Sequence, residues 1–183
     1  MATIITHPIL AATLGRVLRI PRKVIIAGAV LSCLPDADFI AFYTPLTDWH
    51  WLGHRGFTHS LLFSVVFACL LAALFFRDTV RGSGMWWRSV AFLSVCGASH
   101  GILDAFTSGG AGIAFLWPFS EARFVAPWRP IQVSPVGLDF FSMEGLEVLA
   151  SEFRWVWIPC LAVLGLEMLW RQWRAPLVQR NQA

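Results

Sequence analysis

Charged residues are scarce in this sequence, and their scarcity limits the classes of protein to which it can belong. Asp, Glu, Lys and Arg make up 14% of the 183 residues, whereas 57% are hydrophobic and the mean hydropathy is +0.63. A soluble core of this length has little room for ten Trp and fifteen Phe, so the composition favours a membrane-embedded domain. The net charge of +3 comes from scattered basic residues rather than a basic stripe, so no nucleic-acid partner is expected.

Paired cysteine motifs are also missing. The four cysteines, Cys33, Cys69, Cys96 and Cys160, each lie in an apolar segment, and none belongs to a CxxC pair. This pattern favours buried thiols over disulfides or a Cys-rich zinc site. The N-terminal segment lacks the basic stretch and cleavage site of a secretory signal, so it is expected to remain on the mature protein. Without an internal repeat or low-complexity linker, residues 1–183 are predicted to form one domain.

Five apolar segments predict an all-α helical bundle that crosses a membrane four or five times. The segments cover residues 2–15, 24–41, 60–76, 89–106 and 155–170, and the first is short for a full span. If their direction alternates, ten of the fourteen basic residues fall on one side, which the positive-inside bias makes the cytoplasm. The long stretch 107–154 is then predicted to face outward, as a reentrant or interfacial loop.

Acidic and imidazole groups in or beside these segments lie toward the outer side of this topology. They are His7, Asp36, Asp38, His54, His59, His100 and Asp104. With about 1.5 Å of rise per helical residue, Asp36 lies roughly 20 Å from Lys23 and His100 roughly 18 Å from Arg88. The side chains can therefore share one layer. Because ionisable groups within a membrane are costly, their convergence indicates a functional site.

Three short motifs carry six of these seven groups, all except His7. "HGILD" puts His100 and Asp104 four residues apart, on one face of a helix. "LPDADFI" places two carboxylates after a proline that disturbs the helix, and "HRGFTHS" places two histidines around a turn, with Thr58 or Ser60 available as a helix cap. Imidazole and carboxylate together suit a divalent metal, with zinc first and manganese or iron as alternatives.

Structural roles compete with the metal hypothesis for single residues. His7 and His50 can be interfacial side chains, and Arg55 can be a flanking membrane anchor. Likewise, the carboxylates of "LPDADFI" can cap helices, and His100 with Asp104 can be a hydrogen-bonded pair that joins two helices. These separate readings do not predict that the acidic and imidazole groups gather on one side.

Several motifs together resemble the YdjM-like family of inner-membrane, metal-dependent hydrolases, which includes a LexA-regulated member. They are "THPILA", "LPDADFI", "HRGFTHSLLF", "HGILDAFTSGG" and "LWPFS" followed by "PIQVSPVG". The resemblance covers most of residues 1–140 and implies a bacterial inner-membrane hydrolase whose metal ligands are His7, Asp36, His54, His59, His100 and Asp104.

More remotely, the HxxxD spacing is similar to one in the zinc-dependent phospholipase C and single-strand nuclease superfamily. The sequence lacks that superfamily's later HxxxE and its N-terminal Trp ligand, so one or two metal ions are expected rather than three.

The expected activity is hydrolysis of an ester or phosphoester in a phospholipid-like or other amphipathic substrate. Asp38 or His54 is the predicted general base, and Arg55, assisted by Arg123 or Arg129, is the predicted phosphate ligand. Two alternatives remain open. One is a metal-ion or proton transporter, and the other is a non-catalytic regulatory protein stabilised by its metal. The sequence predicts no oligomeric state.

Overall fold

A computed structural model describes residues 1–43, 50–77 and 79–180 of the chain, and all regular structure in them is helical. The α-helices are α1 (Thr6–Val17), α2 (Arg22–Leu31), α3 (Leu61–Phe75), α4 (Gly84–Ala105), α5 (Met143–Glu152) and α6 (Ile158–Arg180). Short 3-10 turns cover Leu34–Tyr43, Phe57–His59 and Gly137–Phe141. The all-α prediction is therefore confirmed for the described part of the chain.

Helices α1 and α2 form a tight hairpin. α1 ends where the backbone turns at Arg19, which has a φ of 54°, and the Ile20 amide donates back to the Gly15 carbonyl at 2.9 Å. Pro21 then precedes α2, a position where its fixed φ suits a helix start. A Cβ on Gly15 would lie 2.6 Å from a side-chain carbon of Ile25, so glycine permits the close approach of the two helices.

Helices α3 and α4 pack against each other and against this hairpin. Ser60 caps α3 by accepting a hydrogen bond from the Phe63 amide at 3.1 Å. Of the two predicted caps, Thr58 and Ser60, Ser60 is therefore the one confirmed. Gly97 of α4 faces Ser64 of α3, where a Cβ would come within 2.9 Å of the serine side chain. Helices α1, α2, α3 and α4 together enclose an apolar core. It includes Ala11, Val24, Leu31, Ala68, Phe92, Leu93 and Cys96.

The helix disturbance predicted at Pro35 is confirmed, and the apolar segment 24–41 is not one continuous α-helix. α2 ends at Leu31, and the chain continues from Leu34 as a 3-10 turn that contains Pro35. Proline cannot donate the next backbone hydrogen bond and its ring collides with the preceding turn, so the α-helix stops before it. This break turns Asp36 toward His100 of α4 and Asp38 toward the turn before α3.

The last helix is longer than predicted. Instead of beginning near residue 155, it runs from Met143 through a π-helical turn at Phe153–Trp157 into α6. In the described part of the chain, Met143–Arg174 is the one helix that is both long and apolar enough to cross a membrane. α3 is apolar but has 15 residues, about 22 Å of helix, which is less than the roughly 30 Å hydrocarbon core.

Between α4 and α5 the chain has no α-helix and lies against the rest of the fold. Two isolated β-bridges, Thr107 with Ile131 and Ile113 with Phe124, tie this segment to itself. The Ala114 amide donates to the carbonyl of Arg55, 3.2 Å away, so the segment is also fastened to the "HRG" turn. All four cysteines are free thiols, and Cys96 and Cys160 are buried as predicted, whereas Cys33 and Cys69 are only partly buried.

Candidate metal centre

Four buried side chains from three parts of the chain converge at the ends of the helices. Asp36 comes from the 3-10 turn after α2, His59 from the turn before α3, and His100 and Asp104 from α4. One ligand atom from each lies within 4.8 Å of the others. We call these four residues the metal-ligand group. The break at Pro35 and the i, i+4 spacing in α4 bring them together.

Hydrogen bonds fix which nitrogen of each imidazole faces the group. His100 Nδ1 donates to the carbonyl of Ser32 at 2.7 Å, so in the neutral ring Nε2 keeps its lone pair. His59 Nδ1 lies 3.0 Å from the Thr58 hydroxyl and 3.3 Å from Asp38 Oδ2, which directs its Nε2 inward in the same way. Outer partners of this kind orient histidine ligands in metal sites.

Spacings between the inward atoms fit a shared cation. The two Nε2 atoms are 3.1 Å apart, and His100 Nε2 is 3.3 Å from Asp36 Oδ1. Two ligands of one tetrahedral zinc, each about 2.0–2.1 Å from the ion, lie about 3.3 Å apart. Asp104 Oδ2 is 3.7 Å from His59 Nε2 and completes the set.

The inward carboxylate oxygens have no hydrogen-bond partner among the described residues. Asp104 is anchored through Oδ1, which accepts from the Ala2 amide at 2.7 Å, whereas its Oδ2 and Asp36 Oδ1 are buried and accept no hydrogen bond from the described residues. Buried polar atoms are normally satisfied, and two unsatisfied carboxylate oxygens beside imidazole lone pairs are what a cation ligand set requires.

Asp38 lies in a second group with His54 and His59. Its Oδ1 is 2.6 Å from His54 Nδ1, and its Oδ2 accepts from the Thr58 hydroxyl at 2.6 Å and from the Arg55 amide at 3.3 Å. Ligand atoms of the three acidic and imidazole residues also lie within 4.8 Å of one another, so this group is a second possible ion position. With this many donors, Asp38 is well placed to orient both imidazoles.

Arg55 is buried, so the reading of this residue as a membrane anchor is wrong. Its guanidinium donates to the Gly109 carbonyl and to the Thr107 hydroxyl, each at 2.7 Å, and its Nε lies 3.5 Å from Asp104 Oδ2. A Cβ on Gly110, whose φ is +92°, would lie 2.2 Å from the guanidinium. The arginine therefore binds the "TSGG" turn to the metal-ligand group. Contact with a phosphate stays a prediction.

His7 is also buried, so the interfacial reading of this residue is wrong too. Its ring stacks on His100 with centroids 3.9 Å apart, and neither of its nitrogens has a hydrogen-bond partner in the described chain. His7 belongs neither to the metal-ligand group nor to the second group around Asp38, so its role as a ligand stays a prediction. His50, the fifth histidine, lies beside Trp51 at a ring distance of 5.8 Å and is a member of neither group.

The electrostatics of His59, which precedes the apolar helix α3, reflect the two nearby carboxylates. Burial opposes the charged imidazole, but interactions with Asp104 and Asp38 overcome it and raise the pKa of His59 to about 9. At neutral pH His59 is therefore protonated, and its positive charge stabilises the two carboxylates. A divalent cation that binds there would displace this proton.

Sequence reasoning missed Glu152. This carboxylate is fully buried on α5 and accepts hydrogen bonds from the Thr3 amide and from the hydroxyls of Thr3 and Thr6, the two hydroxyl bonds being 2.6 Å long. It thereby fixes the N-terminal segment whose Ala2 amide holds Asp104. The available signal was an acidic residue within the mostly apolar stretch "VLASEF".

Arg123 donates to backbone carbonyls of the turn that carries His54. Its nitrogens lie 3.3 to 3.5 Å from the carbonyls of His50, His54, Arg55 and Gly112. The residue therefore supports the turn. The predicted contacts of Arg123 and Arg129 with a phosphate stay predictions.

Comparison with known proteins assigns the family. The model of the YdjM inner membrane protein family matches residues 1–174. The chain is 40% identical over 178 residues to the inner membrane protein YbcI of Escherichia coli strain K12, an alignment that spans 95% of this chain and 99% of that protein. No solved structure matches. The chain therefore belongs to the YdjM family of inner membrane proteins and carries buried Asp and His groups that can hold a metal ion.

Proposed function

We propose that the protein is a metal-dependent hydrolase of the inner membrane that cleaves an ester or phosphoester in a phospholipid-like substrate. The observation that carries the proposal is the metal-ligand group, in which two imidazole nitrogens and two carboxylate oxygens converge in a buried position. Two carboxylates and two imidazoles balance the charge of a divalent ion, and this ligand set suits zinc first, with manganese or iron as alternatives.

A bound divalent ion supplies a water nucleophile at neutral pH and neutralises charge on the group attacked. Asp36, His59, His100 and Asp104 would hold it. Asp38 keeps the proton of His59 on Nδ1, which leaves Nε2 for the ion. His54 donates a hydrogen bond from Nδ1 to Asp38, which orients the imidazole. Its Nε2 can then accept a proton from the water nucleophile, as a general base does.

A surface cavity next to the metal-ligand group supports an amphipathic substrate. Its volume is about 300 Å³, within the usual range of roughly 300–1,000 Å³ for small-molecule sites. The lining is mostly apolar and includes Ile4, Phe39, Val136 and Phe140, while Asp36 contributes a carboxylate to the same wall. An acyl chain in this cavity would leave its ester next to Asp36.

A transporter is disfavoured by what lies on the other side of the group. One to two turns before His100, α4 contributes Leu93 and Cys96 to an apolar core that also contains Leu31 and Ala68. This apolar packing disfavours a path for an ion or proton through the described part of the helices.

We also propose that α1 to α4 enter the membrane together with Met143–Arg174, with the metal-ligand group on the non-cytoplasmic side. Large apolar side chains remain exposed along α3, including Leu62, Val66 and Leu70, as expected for a lipid-facing surface. The distribution of basic residues supports the orientation.

The test is an assay in mixed micelles with phospholipids and with soluble ester and phosphoester analogues. Wild-type protein stripped with a chelator and reloaded with zinc or manganese is expected to regain turnover. Asp36→Asn is expected to lower kcat by more than about 100-fold, above the range for outer-shell changes. The exposed carboxylate variant Glu147→Gln serves as the matched control.

A second variant tests the cavity. Val136→Trp is expected to raise KM for lipids while leaving bound metal and turnover of a small soluble ester unchanged. Metal-loaded protein without turnover on any of these substrates would contradict the hydrolase proposal and favour a metal-stabilised, non-catalytic protein.

A further inference from the structure

A second cavity lies at the other end of α1, away from the metal-ligand group. His7 and Arg16 are nine residues apart in the sequence, which is roughly 14 Å along the helix. The cavity has a volume of about 410 Å³ and lies where the α1–α2 hairpin meets α6. Four of its seven lining residues are arginines, namely Arg16, Arg19, Arg22 and Arg171, and none is acidic.

Most of this positive charge is uncompensated. Arg171 pairs with Glu167 one turn earlier in α6, but Arg16, Arg19 and Arg22 form no ion pair with any described residue. The first turn of α2 contains no acidic side chain, so the positive end of its helix dipole adds to the field. A cavity lined by four arginines suits a phosphate, which arginine can bind through two parallel hydrogen bonds.

The neighbouring face of α2 indicates which kind of phosphate. There, Lys23, Ile26, Ala27 and Val30 line an apolar groove of about 400 Å³ together with residues of α3 that include Phe75. Ile26 and Val30 are exposed in this groove, so the face is unpartnered by the described chain. An apolar groove beside an arginine-lined cavity matches the two halves of a lipid, a hydrocarbon chain and an anionic headgroup.

We propose that this corner of α1, α2 and α6 is a binding site for an anionic phospholipid, with the headgroup phosphate on Arg16, Arg19, Arg22 and Arg171 and an acyl chain along the α2–α3 groove. The site is separate from the metal-ligand group and does not depend on hydrolysis. It places a structural lipid at the basic end of the bundle, where the membrane surface attracts Lys and Arg.

The test is a lipid titration of the detergent-purified full chain, followed by native mass spectrometry. Phosphatidylglycerol and phosphatidylethanolamine with identical acyl chains are compared, and inorganic phosphate is added as a competitor. Phosphatidylglycerol is expected to bind more tightly, and Arg16→Gln with Arg22→Gln is expected to weaken it by roughly 30-fold. The control pair Arg77→Gln and Arg81→Gln removes the same charge from the loop after α3 and should change the affinity less than about 3-fold.

Two further variants keep the result decisive if the double glutamine protein fails to fold. Arg16→Lys with Arg22→Lys retains the charge and should keep the preference for phosphatidylglycerol, whereas Ala27→Trp should weaken lipid binding without changing the charge. Equal affinity for the two lipids, equal loss in the control pair, or no effect of Ala27→Trp would overturn the proposal. Displacement of the lipid by inorganic phosphate at similar concentration would also overturn it, because a free anion would then be the ligand.

Discussion

Replacing Asp38 by Asn tests whether this residue orients the metal ligands or is itself a ligand. Asp38 Oδ2 faces the His59 imidazole, the Thr58 hydroxyl and the Arg55 amide, whereas Oδ1 faces His54 Nδ1 at 2.6 Å. The single oxygen of Asn is expected to take the Oδ2 side, where three donors meet. Its amide group then faces His54, which loses its acceptor, and His59 keeps a neutral acceptor in place of a charged one.

The expected result is therefore weakened metal binding rather than its loss. Loss of an outer-shell partner lowers metal affinity about 10–100-fold, or about 1.4–2.7 kcal/mol. The affinity of the purified protein for zinc is measured by competition with a chromophoric chelator, with Glu147→Gln as the control. An unchanged affinity would show that Asp38 does not orient the imidazoles. A loss as complete as in His100→Ala would show that Asp38 is a ligand and that the second group holds the ion.

Three further predictions concern proton linkage and packing. Because the pKa of His59 is raised to about 9 in the metal-free site, zinc binding should release a proton. Zinc affinity should therefore increase about 10-fold per pH unit up to pH 9 and then remain constant. Calorimetry in buffers of different ionisation enthalpy measures both the affinity and the proton release. An affinity that does not vary between pH 6 and 8 would contradict this linkage. Gly110→Ala should destabilise the protein by about 1–3 kcal/mol, since the residue has a φ of +92° and the new Cβ would collide with Arg55. The control is Gly82→Ala in the same thermal unfolding experiment. Gly82 has a φ of +79° and no neighbour within 4 Å, so its substitution measures the backbone contribution alone. Glu152→Gln should lower the free energy of unfolding by about 1–3 kcal/mol, because a buried acceptor of several hydrogen bonds becomes partly a donor, and an unchanged melting temperature would contradict this role.

The sequence predicted the candidate site better than the limits of the helices. His100 and Asp104 are spaced for one helix face, and most of the other acidic and imidazole groups lie near the ends of apolar segments, so a helical bundle can bring them near one another. Hydropathy could not place the start of the last helix, because Glu144, Glu147 and Glu152 dilute the apolar signal of its first turns.

The outer partners of the site were beyond sequence reasoning for a different reason. Ser32 orients His100 through a backbone carbonyl, an atom that every residue possesses and that no motif marks. Glu152 acts on the site through residues 146 to 149 positions away in the chain, and the structure was needed to show this pairing. Arg55 lies within a recognisable motif, yet its guanidinium contacts the distant "TSGG" turn rather than solvent.

Metal content is the measurement that tests the central claim most directly. Detergent-purified wild-type protein is analysed by elemental mass spectrometry beside His100→Ala, Asp36→Ala and the control Glu147→Gln. The account predicts zinc, manganese or iron at one or two ions per chain in the wild type and the control, and loss of that metal in both site variants. Wild-type protein that binds none of these metals after reconstitution, or site variants that keep the full amount, would contradict it.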